Sequence, residues 1–199
     1  MRLEFLGNGV DSMKNIFKSS LMGIAALLLL ASVAHAQLGT STGTTTLSVA
    51  VAAEAALTIG GGGTTSLISS GSNFSSYGGT TNLTYFIRTT VSGGIGHITS
   101  KVTADFSPAG GPSVATPPTA GDALTYTCSA SSPGNNGTAT PCTTQTSSTT
   151  VTTPVVDFGA DARSLLGGNT ASVAWTLTND PKYKTGSYSA TVTFTISAT

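Results

Sequence analysis

Charged residues are scarce in this chain. Of its 199 residues, 8 are Lys or Arg and 8 are Asp or Glu, so the formal net charge is zero. Charged residues make up 8% of the sequence, whereas about 25% is usual for a globular domain. Without a basic excess the chain lacks the electrostatic footprint of a nucleic-acid-binding protein, and we exclude that class of partner.

Residues that commonly carry catalysis are equally rare. Beyond the N-terminal 36 residues the sequence has one histidine, His97, and no Gly-x-Ser-x-Gly motif. It therefore lacks the pattern of nucleophile and general base that nucleophilic hydrolysis needs. The glycine run Gly60–Gly63 is followed by Thr and Ser instead of Lys, which does not match a phosphate-binding loop. We therefore predict that the protein is not an enzyme and has no cofactor and no metal.

Two weaker alternatives involve side chains that strand pairing could bring together. Asp157 and Asp161 flank Phe-Gly-Ala and are candidates to share a calcium ion, although two carboxylates fall short of a coordination shell. One residue of each type needed for an intramolecular isopeptide bond is also present: Glu54, Lys101 and Asn179.

The N-terminus has the pattern of a cleaved secretory signal peptide. A basic start at Met13 is followed by a 13-residue apolar run, 21–33, and by the sequence Ala-His-Ala, 34–36. The run is shorter than the roughly 20 residues that a membrane-spanning helix needs. We predict cleavage after Ala36, with Met13 as an alternative start, and hence a protein of the periplasm, cell surface or extracellular space with no membrane span.

Two cysteines, Cys128 and Cys142, lie beyond this segment. An even cysteine count in an exported chain indicates a disulfide bond. Closing a loop of about 15 residues stabilises a fold by about 3 kcal/mol in the chain-entropy model.

Apolar residues alternate with polar ones along most of the remaining sequence. The alternation is clearest in 188–198 and in 172–178, and it recurs in 83–91, 98–106 and 124–128. Period two is the strand period, and clusters of Gly, Pro, Asn and Ser separate the segments. We predict an all-β, immunoglobulin-like Greek-key β-sandwich of about seven strands, residues 46–199, after a flexible leader, 37–45.

The first alternating segment is unusually long. Apolar residues occupy every second position from Leu47 through Val49 and Val51 to Ile59, about twice the length of an ordinary strand. Either this strand switches between the two sheets, or its first half is a donor strand (Leu47, Val49, Val51) that adds to the sheet of a neighbouring molecule.

The two ends of the chain resemble known secreted proteins. The alternating first strand and the ending Gly186-Ser187-Tyr188 through Phe194 to Ile196 are similar to bacterial pilin-like and spore-coat-U-like β-sandwiches. This resemblance implies a structural role and assembly by donation of an N-terminal strand. Locally, Trp175-Thr176-Leu177 resembles the W-x-L motif of cell-wall-binding domains, but we interpret Trp175, with Tyr188 and Phe194, as a core anchor.

Taken together, these patterns predict a secreted structural or surface-assembly protein. Its partner would be another copy of itself or another envelope protein. The alternative is a monomeric module that binds glycan or another surface through loops such as Ser129–Pro141. Clustered exposed aromatic side chains would favour that alternative, and the candidates are Phe74, Tyr77 and Tyr183.

Overall fold

The computed structural model describes residues 43–69 and 71–199. The predicted signal peptide and most of the predicted leader lie outside the described residues. Residues Val49–Thr199 form one compact unit. In the described ranges there is no helix that is both long and apolar enough to cross a membrane.

The regular secondary structure of the compact unit is β-strand, apart from a short 3-10 helix at Gly61–Gly63. Seven strands have six or more residues: β1 (Glu54–Ile59), β3 (Tyr77–Arg88), β4 (Gly96–Ser107), β5 (Thr125–Ala130), β8 (Thr153–Phe158), β9 (Asn169–Leu177) and β10 (Ser189–Ala198). Three are shorter: β2 (Ile68–Ser69), β6 (Ala139–Pro141) and β7 (Gln145–Thr146). The prediction of an all-β fold with about seven main strands is confirmed.

The strands form two antiparallel sheets packed as a sandwich. The first sheet has the order β1-β3-β9-β5-β7, with β2 also paired to β3, and the second has the order β10-β4-β8-β6. The edge strands β1 and β10 contact each other along one side of the sandwich. The predicted disulfide between Cys128 and Cys142 is confirmed, with Cα atoms 5.1 Å apart. It joins β5 of the first sheet to the residue that follows β6 of the second.

The inward-facing members of the alternating segments fill the core. Fully buried large side chains come from both sheets: Leu83, Tyr85, Tyr126 and Val173 from the first, and Ile98, Val102, Val155 and Val156 from the second. Trp175 is 5% exposed, and its ring centroid lies 5.0 Å from that of Tyr126 and 6.3 Å from that of Phe194.

The predicted anchor role therefore holds for Trp175, and Phe194 packs partly buried against the same core. It was wrong for Tyr188, which precedes β10 and is only half-buried. The Tyr188 hydroxyl donates to the carbonyl of Lys184 at 2.7 Å, so its ring stays in the connection before the strand.

The long first strand is shorter in the structure than its sequence pattern suggests. Regular pairing begins at Glu54, opposite Arg88, and ends at Ile59, opposite Leu83. Residues 47–53, which we call the arm, have no regular secondary structure. A strand that switches between the two sheets is therefore not what the described residues form.

Candidate functional site

Neither the outer edge nor the inward face of the edge strand β10 is fully covered. It pairs with β4 along one edge, and no strand in the described part of the chain pairs with its other edge. Its inward row, which includes Val192, Phe194 and Ile196, is only half-buried. An unpaired edge with a half-buried apolar row is a ready template for a further strand.

A glycine turn follows β1 beside the cleft described below. After β1 the chain passes through Gly61, Gly62 and Gly63, whose φ angles are 64°, 67° and 78°. Three consecutive residues in this left-handed region are accessible to glycine at little cost and to other residues only with strain. The turn interrupts the pairing with β3: β1 covers the second half of that strand, Leu83–Arg88, and the chain returns to the first half at Ile68 and Ser69, opposite Gly78 and Tyr77.

A cleft of about 1000 Å³ opens between the sheets where β1 ends. Its floor contains Trp175 and Leu177 of β9 together with Thr81 of β3. Phe106 of β4 and the β10 residues Ala190, Val192 and Phe194 form the opposite wall. Most of these side chains are apolar, so the cleft presents an incompletely covered part of the core.

The cleft also gathers the three aromatic residues singled out from the sequence. Phe74, Tyr77 and Tyr183 all line it, although they come from separate parts of the chain. Phe74 is 63% exposed and has a φ of 55°, whereas Tyr77 and Tyr183 are half-buried. The sequence named these residues but could not show that they meet.

The loop Ser129–Pro141, proposed from the sequence as a binding loop, lies elsewhere. It contains the end of β5 and all of β6, and its Asn136 pairs with Arg163. Arg163 in turn pairs with Arg88, at the end of β3 remote from the cleft. The structure therefore does not bring this loop to the cleft.

One end of the cleft is polar and is formed by the connection from β9 to β10, which we call the connecting segment (178–188). Asp180 in this segment accepts a hydrogen bond from the Thr119 hydroxyl at 2.7 Å. The Lys182 ammonium donates to the same hydroxyl oxygen at 2.9 Å, and the Thr178 hydroxyl donates to the carbonyl of Gly121 at 3.1 Å. The connecting segment is thus fastened to a turn, 119–122, that belongs to a different loop.

Asp122 at the end of that turn is 4% exposed, and its Oδ2 has no hydrogen-bond donor in the described residues. Burial, and then the hydrogen bond and charge of Asp180, raise the pKa of Asp122. The pKa of Asp180 is lowered, first by the Lys182 backbone N–H and then by the Thr119 hydroxyl.

Tyr183 packs beside this pair, and its hydroxyl is buried without a hydrogen-bond partner among the described residues. Burial, with the charges of Asp122 and Asp180, raises its pKa to about 12. The phenol consequently stays neutral at any physiological pH.

The predicted donor residues are free of the core. Leu47 is 91% exposed, Val49 86% and Val51 66%. The arm joins β1 at Glu54, which is paired with the last residue of β3, Arg88. Arg88 Nε also donates to the Ala52 carbonyl at 2.8 Å, so this part of the arm lies beside the end of β3, whereas the cleft lies beside its first half.

The other chemistry-bearing residues are engaged in local pairs. Asp157 accepts from His97 Nδ1 at 2.7 Å, and Asp161 pairs with Arg163 at 3.2 Å. The two aspartates therefore have separate partners, and no group of three metal-ligating side chains occurs in the described ranges.

The three candidate isopeptide residues are also separated. Glu54 forms an ion pair with Arg88 at 2.6 Å, at the end where the arm leaves. Asn179 lines the cleft, and Lys101 lies on β4 of the other sheet. The structure does not bring these three side chains to one site.

Comparison with protein-family models, with curated proteins and with solved structures finds no match for this chain. We therefore infer the function from three features of the structure: the cleft, the edge strand β10 and the arm.

Proposed function

We propose that this protein is an exported structural subunit that assembles by strand addition, in which the arm of one copy occupies the cleft beside β10 of the next. The observation that carries the proposal is the unpaired edge of β10 beside a cleft in which Val192 and Phe194 of that strand are exposed in part. Strand addition supplies backbone hydrogen bonds along such an edge, and pockets for alternate side chains supply specificity.

The dimensions and chemistry of the arm suit the cleft. Seven residues, 47–53, span about 23 Å as a strand at about 3.3 Å per residue. The cleft-lining part of β10 runs from Ser189 to Phe194, about 20 Å by the same measure. With Leu47, Val49 and Val51 on one face, the arm would place apolar side chains on the half-buried row of β10.

The positions of the arm and the cleft support an open assembly. Because they lie at opposite ends of the compact unit, each copy offers one arm and one vacant cleft. Such a head-to-tail contact is heterologous and gives filaments or open chains unless the rotation between copies closes a ring. The assembly would therefore be a linear structure of the cell surface, in keeping with the pilin-like resemblance.

The test uses the mature chain, residues 37–199, with its disulfide intact. We expect light scattering to show concentration-dependent oligomers that the double substitution Val49→Asp, Val51→Asp abolishes. The matched control, Ser48→Asp with Ala50→Asp, adds the same charge to the opposite face of the arm and should oligomerise far better. Equal behaviour of the two variants, or a monomeric parent protein, would refute strand donation.

A second function is favoured by the aromatic residues of the cleft. Phe74, Tyr77 and Tyr183 offer flat apolar faces beside the hydrogen-bonding groups of Asp180 and Asn179, a combination typical of ligand sites. The protein would then be a monomeric module that binds glycan in the cleft. Oligosaccharide binding to the monomer, lost on Phe74→Ala and unaffected by the arm substitutions, would support this function over assembly.

A further inference from the structure

A second, smaller groove adjoins the polar end of the cleft, and we call it the lysine groove. It has a volume of about 410 Å³. Lys182 and Lys184 of the connecting segment line it, and the loop 106–118 supplies the rest of its lining. Phe106, Pro112 and Lys184 line both the cleft and the groove, so the two spaces are neighbours.

The two lysines of the groove carry charges that no carboxylate in the described residues neutralises by direct contact. The ion pairs of that part of the chain involve Arg88, His97 and Arg163 instead. Asp180 is the nearest acid in sequence, but its oxygens accept from the Lys182 backbone N–H and the Thr119 hydroxyl, each at 2.7 Å. Asp180 lines the cleft and does not line the groove. The groove therefore presents a local positive charge in a chain that has few charges of either sign.

Specific contacts position both lysine side chains. The Lys182 ammonium donates to the Thr119 hydroxyl at 2.9 Å. The Lys184 backbone N–H donates to the Gly110 carbonyl at 2.8 Å, and the Lys184 carbonyl accepts from the Tyr188 hydroxyl at 2.7 Å. A Cβ at Gly110 would lie 2.9 Å from Lys184 Cδ, so the lack of a side chain there lets the lysine stem lie on the loop. Groups held in place before binding lose less entropy when a ligand arrives.

The opposite wall of the groove is organised by one carboxylate, Asp105. It accepts from the backbone N–H groups of Phe106 at 2.8 Å, Val114 at 2.7 Å and Ala115 at 3.1 Å. It also accepts from the Ser113 hydroxyl at 2.7 Å. Because four donors engage this carboxylate, it fixes the course of the loop and leaves the lysines available for a ligand.

We propose that the lysine groove binds an acidic glycan, one whose sugars carry carboxylate groups. Such a sugar has three kinds of surface, and the groove has a counterpart for each. Lys182 and Lys184 supply compact positive charges for the carboxylate, the Thr116 hydroxyl can bond ring hydroxyls, and Phe106 and Pro112 offer apolar faces to the C–H groups. The inference goes beyond strand donation and does not rest on it, because the arm would occupy the cleft.

Other anionic partners fit the groove less well. A nucleic acid is held by many cations that neutralise successive phosphates, and this chain has no basic excess. Recognition of an anionic lipid surface uses clusters of roughly four to eight basic residues, whereas the groove has Lys182 and Lys184. A concave site with two cations and apolar faces suits a short stretch of acidic sugar.

Nitrogen-15 NMR of the mature chain, residues 37–199, tests the site with a hexamer of galacturonic acid. The arm carries Val49→Asp and Val51→Asp, so that the protein stays monomeric whether or not the parent assembles. We expect saturable shift changes at Gly110, Gly111 and 182–184. The methyl-esterified hexamer has the same sugar chain without the charges and should cause little change.

Substitutions of single charges make the test specific. Lys182→Gln together with Lys184→Gln should weaken binding about tenfold, because each exposed charge pair contributes up to about fivefold in affinity. Lys184→Arg keeps the charge and should retain most of the binding. Lys101→Gln, on β4 and outside the lining of the groove, is the matched control for Lys184→Gln and should leave the affinity unchanged.

Four results would overturn the proposal: no binding of the acidic hexamer, equal binding of its ester, shifts confined to Phe74 and Tyr77 of the cleft, or an equal loss of affinity in Lys101→Gln and Lys184→Gln. Equally tight binding of an oligonucleotide, or of vesicles with anionic lipid, would overturn the assignment to a glycan. The outcome is independent of strand donation. A monomeric parent that binds the hexamer refutes strand donation alone, and filaments whose subunits do not bind it refute the lysine groove alone.

Discussion

Replacing Tyr126 with phenylalanine should destabilise the fold more than its small chemical change suggests. Tyr126 is 1% exposed and belongs to the first sheet, yet its hydroxyl reaches two strands of the second. It accepts from the Ser100 hydroxyl at 3.0 Å and lies 2.6 Å from the Thr153 hydroxyl and 2.9 Å from the carbonyl of Pro154. The phenol is thus a polar link across the core.

The expected magnitude follows from what the substitution leaves behind. A buried hydrogen-bonding group that loses its partner costs about 1–3 kcal/mol. In the variant Thr153 can still form a hydrogen bond with the Ser100 hydroxyl, at 3.1 Å. Because part of the network keeps its partners, we expect a cost in the middle of that range. With a urea m-value of about 2 kcal/mol/M, a loss of about 2 kcal/mol lowers the unfolding midpoint by about 1 M.

The assay is urea unfolding followed by the fluorescence of Trp175, the single tryptophan, which is buried beside Tyr126. Tyr188→Phe is the matched control, because it removes a hydroxyl bond to the Lys184 carbonyl at a half-buried position that water can reach. That control should cost less than about 0.5 kcal/mol. Equal midpoints for the two variants, at an unchanged m-value, would refute the role of Tyr126 as a link between the sheets.

Three further predictions concern other parts of the molecule. Replacing Cys128 and Cys142 together by alanine should cost about 3 kcal/mol, because the loop that they close is freed in the unfolded chain; urea unfolding that matches the parent would contradict this. Gly79→Ala places a Cβ 2.4 Å from a backbone oxygen and should cost about 1–3 kcal/mol. Gly78→Ala, where the nearest atom is 3.7 Å away, should be close to neutral in the same thermal melts. Burial raises the pKa of Tyr85 to about 12, so stability should fall as the pH rises from about 10 to about 12. A fall of the same size in Tyr85→Phe would show that other groups cause it.

Period-two alternation predicted six of the seven main strands because one face of each lies on the core. It did not predict β8, in which Val155 and Val156 are buried in succession. It correctly assigned β9 and β10 and the buried face of Leu83, Tyr85 and Ile87. It failed where chain geometry overrides pattern: Val91 continues the same phase but lies in the turn after β3 and is 77% exposed.

The cleft was much less accessible to prediction than the strands. Nothing in the sequence around Gly60–Gly63 indicates the course of the turn that follows β1, which depends on three positive φ angles. The hydrogen bond from Thr119 to Asp180 joins two loops far apart in sequence, and nothing local in either loop indicates the other. Similarly, the sequence suggested Asp157 and Asp161 as candidates to share a calcium ion. In the structure, the pairing of β4 with β8 places Asp157 opposite His97, and these two side chains form a pair.

The attachment of the arm to β1 has a mechanical consequence for an assembled chain of subunits. A pull on the arm enters the domain at Glu54 and runs along β1, which is held to β3 by six paired residues. Because the pull is parallel to the strands, these pairs are sheared together instead of opening one after another. The disulfide starts from β5, which is separated from β1 by β3 and β9, so it lies off this path. In the proposed assembly, the resistance of each subunit to a pull on its own arm would therefore depend on the β1–β3 ladder, and reducing agents should leave that resistance largely unchanged while the fold persists.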